Sequence, residues 1–298
     1  MNGILNVYKE RGFTSHDVVA KLRGITHQKK IGHTGTLDPE AEGVLLVCFG
    51  NATKVCDLIE DRKKQYRVVC LLGCQTDTQD LTGEVLNEKP VTCTEEEIRL
   101  AANSFVGKYM QVPPMYSALK VNGKRLYELA REGKTVERKA REIEIYSIAV
   151  EQIDLVKNEV TMLVSCSKGT YIRTLCDDLG TKLGCGGTMK SLLRTAVGEA
   201  KVNDAVKLSQ VEAWMKEGEL EDHLVSVRSL FSEVPSVRVT ETFEHMLKNG
   251  NPLPANAIAA LQGKRADRIC VEDASGTFLG LYAWDAKRRM YFPEKMFL

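Results

Sequence analysis

Gly32-His-Thr-Gly-Thr-Leu-Asp-Pro39 follows neither the helical nor the strand period, yet it lies between a segment of helical pattern and a buried apolar run. Two glycines, two threonines, a histidine and an Asp-Pro pair within eight residues suggest close backbone approach to a partner. It is not a phosphate loop, because Gly-Lys-Ser/Thr is missing and the stretch precedes a strand instead of opening a helix. An Asp before Pro is ordinarily a turn former, so these residues alone leave Asp38 either a structural turn or a working carboxylate.

On the N-terminal side, Gly3 to Tyr8 reads as a strand. Thr14 to Ile25 reads as a helix, with capping-box spacing at Thr14 and Asp17 and one stripe of Val18, Val19, Leu22 and Ile25. On the other side, Val44 to Phe49 is a buried strand and Thr53 to Ile59 a short helix. Tyr66 to Leu72 alternates, with Tyr66, Val68, Cys70 and Leu72 on one face and Arg67, Val69 and Leu71 on the other. Thr94 and Glu97 cap a helix whose apolar side is Ile98, Ala101 and Phe105; Pro113-Pro114 then breaks the chain. Asn122-Gly123 marks a tight turn before a short helix from Leu126 to Ala130. Ile143 to Leu155 and Glu159 to Cys166 form a strand pair, Thr170 to Leu183 a helix, and Leu208 to Met215 a further helical stretch. After Val234 the texture changes to short strands: Val237 to Thr240, Arg268 to Val271, Thr277 to Trp284 and Met290 to Phe292. The domain boundary is placed near residue 233, giving units of 1–232 and 233–298.

A second stretch, Cys166-Ser-Lys-Gly-Thr-Tyr-Ile-Arg-Thr174, carries a misfit. Thr170 reads as an N-cap, and a capping box would place Glu three residues on, where Arg173 stands. A cation in the first helical turn opposes the macrodipole. Either a carboxylate or phosphate holds Arg173, or it extends to solvent.

With 298 residues the soft prior is two domains, and a chain this long buries roughly 75% of its unfolded surface without staples. The longest apolar run, Val44 to Phe49, is far short of the ~20 residues that span a bilayer, and Lys9 comes too early for a signal peptide. A cytoplasmic protein is expected. Nine cysteines without Cys-x-x-Cys, and five scattered histidines, read as free thiols in a reducing compartment and give no case for a metal. Net charge is +1, which argues against indiscriminate coating of nucleic acid but allows a local basic groove. From Lys120 to Arg141 eight basic residues face three acidic ones, an excess of +5 over 22 residues. Lys9, Arg11, Lys21, Arg23, Lys29 and Lys30 bias the first thirty similarly. Both stretches are either solvated faces or surfaces converging on a polyanion.

The order of several motifs resembles the TruB family of tRNA pseudouridine synthases. The resemblance rests on Gly32 to Pro39 followed by Gly43-Val-Leu and Ala52-Thr-Lys54, then Lys64-Gln-Tyr-Arg67 and Gly73-x-x-Thr-Asp-Thr78. It continues through Pro113-Pro-Met-Tyr-Ser-Ala-Leu-Lys120, Leu126-Tyr-Glu-Leu-Ala-Arg-Glu-Gly133, Cys166 to Thr174, Asp178-Leu-Gly180 and Leu193-Arg-Thr195. It covers about 200 residues. The resemblance implies an α+β catalytic fold with a central mixed, largely antiparallel sheet flanked by helices, plus a small β-rich PUA-like C-terminal domain. It implies Asp38 as the catalytic carboxylate, Tyr66 stacked on the target base, Arg173 paired with Asp38, and Tyr171 and Leu192 lining the base pocket. His33 would fill space in the RNA stem-loop once the uridine leaves it. Residues 115–141 match a mobile thumb-like insertion that grips RNA. The implied substrate is uridine 55 in the T-loop of transfer RNA, handled by a monomer. Two positions depart from the family: Glu10 stands where Pro is frequent, and Leu193 replaces an arginine of a Leu-Arg-Arg motif.

Converting uridine to pseudouridine breaks N1–C1′ and joins C5 to C1′ without net electron transfer, so no cofactor or metal is expected. It needs a carboxylate that acts covalently or takes a proton from the sugar. Arg173 would keep such a carboxylate charged in a closed pocket. Two other readings stand beside this one: an RNA-binding or tRNA-folding chaperone with little or no catalysis, and a carboxylate glycosidase acting on free nucleosides.

Overall fold

Both capping boxes read from the sequence close. Thr14 Oγ1 accepts from the Asp17 amide (3.0 Å) while Asp17 accepts from the Thr14 amide (2.8 Å), and Thr94 and Glu97 repeat the arrangement. Such caps contribute about 1 kcal/mol each and fix where their helices begin. The computed structural model describes residues 1–121, 123–258 and 266–298.

In chain order the first part is β1 (Gly3–Lys9), α1 (Ser15–Thr26), β2 (Ile31–Thr34), β3 (Glu42–Phe49), α2 (Cys56–Glu60), β4 (Lys64–Leu72), β5 (Cys74–Thr76), β6 (Val85–Glu88) and α3 (Glu95–Asn103). Next come β7 (Gly107–Gln111), β8 (Lys120–Val121), β9 (Lys124–Arg125), α4 (Leu126–Arg131), β10 (Arg141–Asp154), β11 (Glu159–Cys166), α5 (Ile172–Lys182), β12 (Gly187–Val197), β13 (Ala200–Lys201) and α6 (Leu208–Glu217). The last part is β14 (Ser236–Arg238), α7 (Glu241–Lys248), β15 (Leu253–Pro254), β16 (Arg268–Glu272), β17 (Phe278–Asp285) and β18 (Met290–Met296).

The main sheet runs β1-β3-β12-β4-β11-β10-β7, antiparallel throughout except where β3 meets β12. This is the α+β fold with a largely antiparallel mixed sheet that the sequence led us to expect. β3 is buried on both faces, which is why its sequence is continuously apolar. Leu45, Val47 and Phe49 pack with α1 and α6; Val44, Leu46 and Cys48 pack with Ile4, Val55 and Ile59. One edge of β3 pairs with β1 along its length. The other edge is divided: β2 takes Leu46 to Phe49, and β12 takes only Glu42 and Gly43. The segment 35–41 leaves the sheet at that division. Gly43 sits there at φ +103°, and a Cβ on it would lie 2.3 Å from the Arg194 carbonyl oxygen, so only glycine lets β12 approach.

β4 alternates as read, burying Tyr66, Val68, Cys70 and Leu72 beneath Leu175 and Leu179 of α5, while Arg67 is exposed and pairs with Glu151. Several elements differ from expectation. The start of the opening octapeptide is not irregular, since Ile31–Thr34 is strand β2. β12, in the middle of the sheet, has no clean alternation in sequence, because bulges between Met189 and Ser191 and between Arg194 and Ala196 reset its faces. β7 and the β5–β6 hairpin, of which β6 is exposed throughout, also escape the periodicity. The tail holds a helix, α7, among its strands; Phe243, Met246 and Leu247 turn it onto the second sheet, β14-β16-β17-β18-β15. The Asn122-Gly123 turn lies partly outside the described residues; β8 and β9 flank it as an antiparallel pair.

The tail docks on the first part. Phe278 and Phe297 (centroids 5.1 Å apart) join Phe231 against Ile4, Val44 and Ile59, and Lys295 binds the Asp57 carboxylate. No helix among the described residues is long and apolar enough to cross a membrane.

Candidate active site

Segment 35–41 is irregular, yet its carbonyls are held by side chains. Arg194 Nη2 donates to Gly35 O (2.9 Å) and its Nε to Val44 O (2.6 Å). Ser15 Oγ accepts from Leu37 N (3.0 Å) and donates to Leu37 O (3.3 Å). Lys9 Nζ donates to Pro39 O (3.0 Å) and Ala41 O (2.6 Å). Backbone that turns away from a sheet needs such partners, since a buried orphan carbonyl costs about 1–3 kcal/mol. The result is a fixed platform for Asp38.

Neither clamp is legible in the sequence. By position Lys9 belongs to the basic bias of the first thirty residues; the structure corrects this, burying it completely. Burial draws its ammonium down to about 8, against the opposing pull of Asp38, Glu42 and Glu40. Arg194 is also fully buried, and no carboxylate among the described residues pairs with it. The signal is present in Leu192-Leu-Arg194, an arginine inside an apolar strand, but nothing local says what it holds.

Asp38 meets Arg173 side-on, along its Nε–Nη2 edge. Arg173 Nε lies 2.9 Å from Asp38 Oδ2, and Nη2 lies 3.2 Å from Oδ1. The guanidinium is 5% exposed and the Asp38 side chain 39%, so the carboxylate is pinned on one side and open on the other. Arg173 Nη1 also donates to Thr78 O (3.0 Å), with Asp80 Oδ2 at 3.8 Å, and Nη2 donates to Tyr116 O (2.8 Å). The cation at the wrong end of a helix therefore has a carboxylate partner. Thr170 is not the N-cap, however: α5 begins at Ile172 after Tyr171, and Thr170 Oγ1 donates to Ser167 O (3.0 Å).

A cleft of about 820 Å³ opens over this pair, and Asp38, Tyr66, Tyr171, Arg173 and Leu192 all line it. Tyr66 comes from β4, opposite Arg194 of β12 and Val164 of β11; burial raises its phenol, with Arg194 pulling the other way. Tyr171 is raised by burial too. Lys64, Arg141 and Lys168 bring positive charge to the lining, while Asp57, Glu60 and Asp61 form an acidic stretch of wall. Where Tyr66, Tyr171 and Leu192 line this open cleft beside the anchored carboxylate, the aromatic and aliphatic walls can hold a flat ring. His33 stands apart from this lining, edge-on to His16 at 5.3 Å between centroids. Burial, then His16 and Arg194, draw its imidazole down to about 4.

The segment 115–141 is built from the β8–β9 pair and α4. Part of its positive charge is met internally, with Lys124 and Lys134 both on Glu132 and Arg131 over the Tyr127 ring. All nine cysteines are free, and no group of metal-ligating side chains occurs among the described residues.

Residues 23–172 match the family described as TruB family pseudouridylate synthase, N-terminal domain, and residues 173–232 match the tRNA pseudouridylate synthase B C-terminal domain. Over its whole length the chain is 51% identical to the whole of a Lachnoclostridium phytofermentans protein called tRNA pseudouridine synthase B. Proteins of the same name from Clostridium perfringens (47%, covering 96% of each chain) and Bacillus pumilus (42%, covering 99% of this chain and 97% of that one) are also similar. Among solved structures, a Cbf5-Nop10-Gar1 complex contains a chain of similar fold at TM-score 0.71 and 25% identity, covering 99% of this chain and 85% of that one. An H/ACA RNP bound to a substrate RNA containing 2′-deoxyuridine gives the same TM-score at 23% identity, with 99% and 85% coverage.

Proposed function

The chain belongs to the TruB family of pseudouridylate synthases, and from that premise we propose that it isomerises uridine 55 in the T-loop of transfer RNA, with Asp38 as the catalytic carboxylate. The observation that carries this reading is the two-point Asp38–Arg173 pair at the floor of a cleft lined by two tyrosines. Flipping the uridine out of its stack costs a few kcal/mol. Stacking on Tyr66, with Tyr171 and Leu192 closing the slot, returns ~1–3 kcal/mol per base. His33, neutral at pH 7, fills the space left in the stem-loop without adding charge.

In this reading Asp38 engages the ribose, either attacking C1′ or removing a sugar proton, while N1–C1′ breaks. The uracil then turns within the slot and C5 bonds to C1′ as the Asp38–C1′ bond breaks or, in the second route, as Asp38 returns the proton to the sugar; the C5 proton then leaves and N1 takes up a proton. Arg173 fixes the direction of the carboxylate so that its free oxygen edge faces the substrate. Residues 115–141 grip phosphates, residues 233–298 act as the PUA-like RNA-binding unit, and the enzyme works as a monomer. Nine unpaired thiols suit a cytoplasmic setting.

Transfer RNA carrying tritium at uracil C5 tests the proposal. Wild type is expected to release label to water, and Asp38→Asn, which keeps the shape but not the charge, to release less than about a thousandth as fast. Tight RNA binding without release by wild type would instead favour an RNA-folding role.

A further inference from the structure

Gln111 ends β7 at the point where the thumb begins. Its ladder partner is Arg141, the first residue of β10, so the two bracket the whole insertion. The side chain is 2% exposed and fully engaged. Its Nε2 donates to Tyr109 Oη (2.7 Å) and to Tyr171 O (3.1 Å), and its Oε1 accepts from Tyr171 N (2.8 Å). Both polar backbone groups of Tyr171 thus end on one amide, which can lie only one way round, because the amide hydrogen needs an acceptor and the carbonyl a donor.

Tyr171 is extended (φ −95°, ψ 109°), is the N-cap of α5, and has no side-chain cap of its own. Two residues further on stands Arg173. Any drift of Tyr171 moves a wall of the cleft and the guanidinium that directs Asp38 together. A second tie runs the same way: Arg173 Nη2 is shared between Asp38 Oδ1 and the backbone carbonyl of Tyr116, inside the thumb. The thumb's root is steadied in turn by Arg138, whose Nη1 donates to Pro113 O (3.1 Å).

We propose that Gln111 is a positioning residue, coupling the root of the thumb to the start of α5 and thereby setting Arg173 against Asp38. The proposal rests on the site reading given above. Gln111 touches no reacting atom; it acts through Tyr171 and Arg173. A group that only stabilised the fold would lower thermal stability and leave the chemical step of the folded enzyme intact.

The test uses the full chain, below its melting temperature, in saturating excess over tritium-labelled transfer RNA so that a single turnover is read. Gln111→Met keeps length without donor or acceptor; Gln111→Glu keeps the acceptor for Tyr171 N and puts a lone pair against Tyr171 O. For either variant that folds, release is expected to slow at least tenfold while the dissociation constant for the RNA changes less than twofold. Adding Gln111→Met to Arg173→Lys should slow release little beyond Arg173→Lys alone, since the two act in series. Wild-type release by a folded Gln111 variant, or slowdowns that multiply in the double variant, overturn the proposal. Asp38→Asn is run alongside: if it releases label at the wild-type rate, the site reading falls and this proposal with it. If Asp38→Asn is silent and Gln111→Met is unimpaired, only the role of Gln111 is lost.

Discussion

At the scale of single residues, the site depends on charges placed where charge is costly. Arg194 and Lys9 are buried to satisfy carbonyls, and Arg173 to direct a carboxylate. Truncating Lys9 or Arg194 strands buried carbonyls at about 1–3 kcal/mol each, whereas an exposed, solvent-screened pair such as Lys108–Glu142 contributes little. Asp178 is a different case. Burial, and then the adjacent Asp177, lift its carboxyl to about 6, above an unfolded value near 3.9. The folded state therefore holds that proton more tightly, and the stability it contributes is present below about pH 3.9 and lost as pH rises through 6. Asp178→Asn, which cannot ionise, is expected to melt at a higher temperature than wild type at pH 7.5, with the gain shrinking at pH 5. Melting curves of both proteins at the two pH values check this, and an equal gain at both would contradict it.

Among the elements, the readable ones carry their instructions locally. α1 and α3 announce themselves by caps and stripes, β3 by an unbroken apolar run, β4 by alternation. β12 and α7 do not. β12 is reset twice by bulges, and α7 is a single short amphipathic helix whose apolar side means little until the second sheet is there to receive it. The elements of residues 115–141, β8, β9 and α4, are short and carry little periodicity of their own. Replacing both Lys134 and Lys139, exposed on this segment, with alanine should weaken transfer-RNA binding. It should also flatten the plot of log affinity against log salt by about 0.7–0.9 for each phosphate no longer neutralised. Titrations at several salt concentrations read this directly; an unchanged slope would remove the grip from this segment.

For the whole molecule, the tail shares a core with the part that precedes it. Phe297 lies among Phe231, Phe278 and Ile59, so Phe297→Ala should lower the denaturation midpoint by an amount equivalent to about 3–5 kcal/mol. An exposed, weakly docked tail would instead lose almost nothing. The sequence by its own periods determined most helices and strands of residues 1–232, while its resemblance to a family implied the class of the fold and the pairing of Asp38 with Arg173. The helices and strands are local, because caps, periods and turn residues act over a few positions; the Asp38–Arg173 pair spans 135 residues. Only the folded chain decided that Lys9 and Arg194 are buried clamps, that Thr170 is not a cap, and that His33 lies apart from the cleft. It also placed Gln111 against Tyr171, 60 residues away. The two clamps depend on where β3's divided edge and the bulged β12 bring distant backbone together, and the Gln111 contact on the pairing of β7 with β10 at the other edge; no short stretch of sequence encodes such meetings.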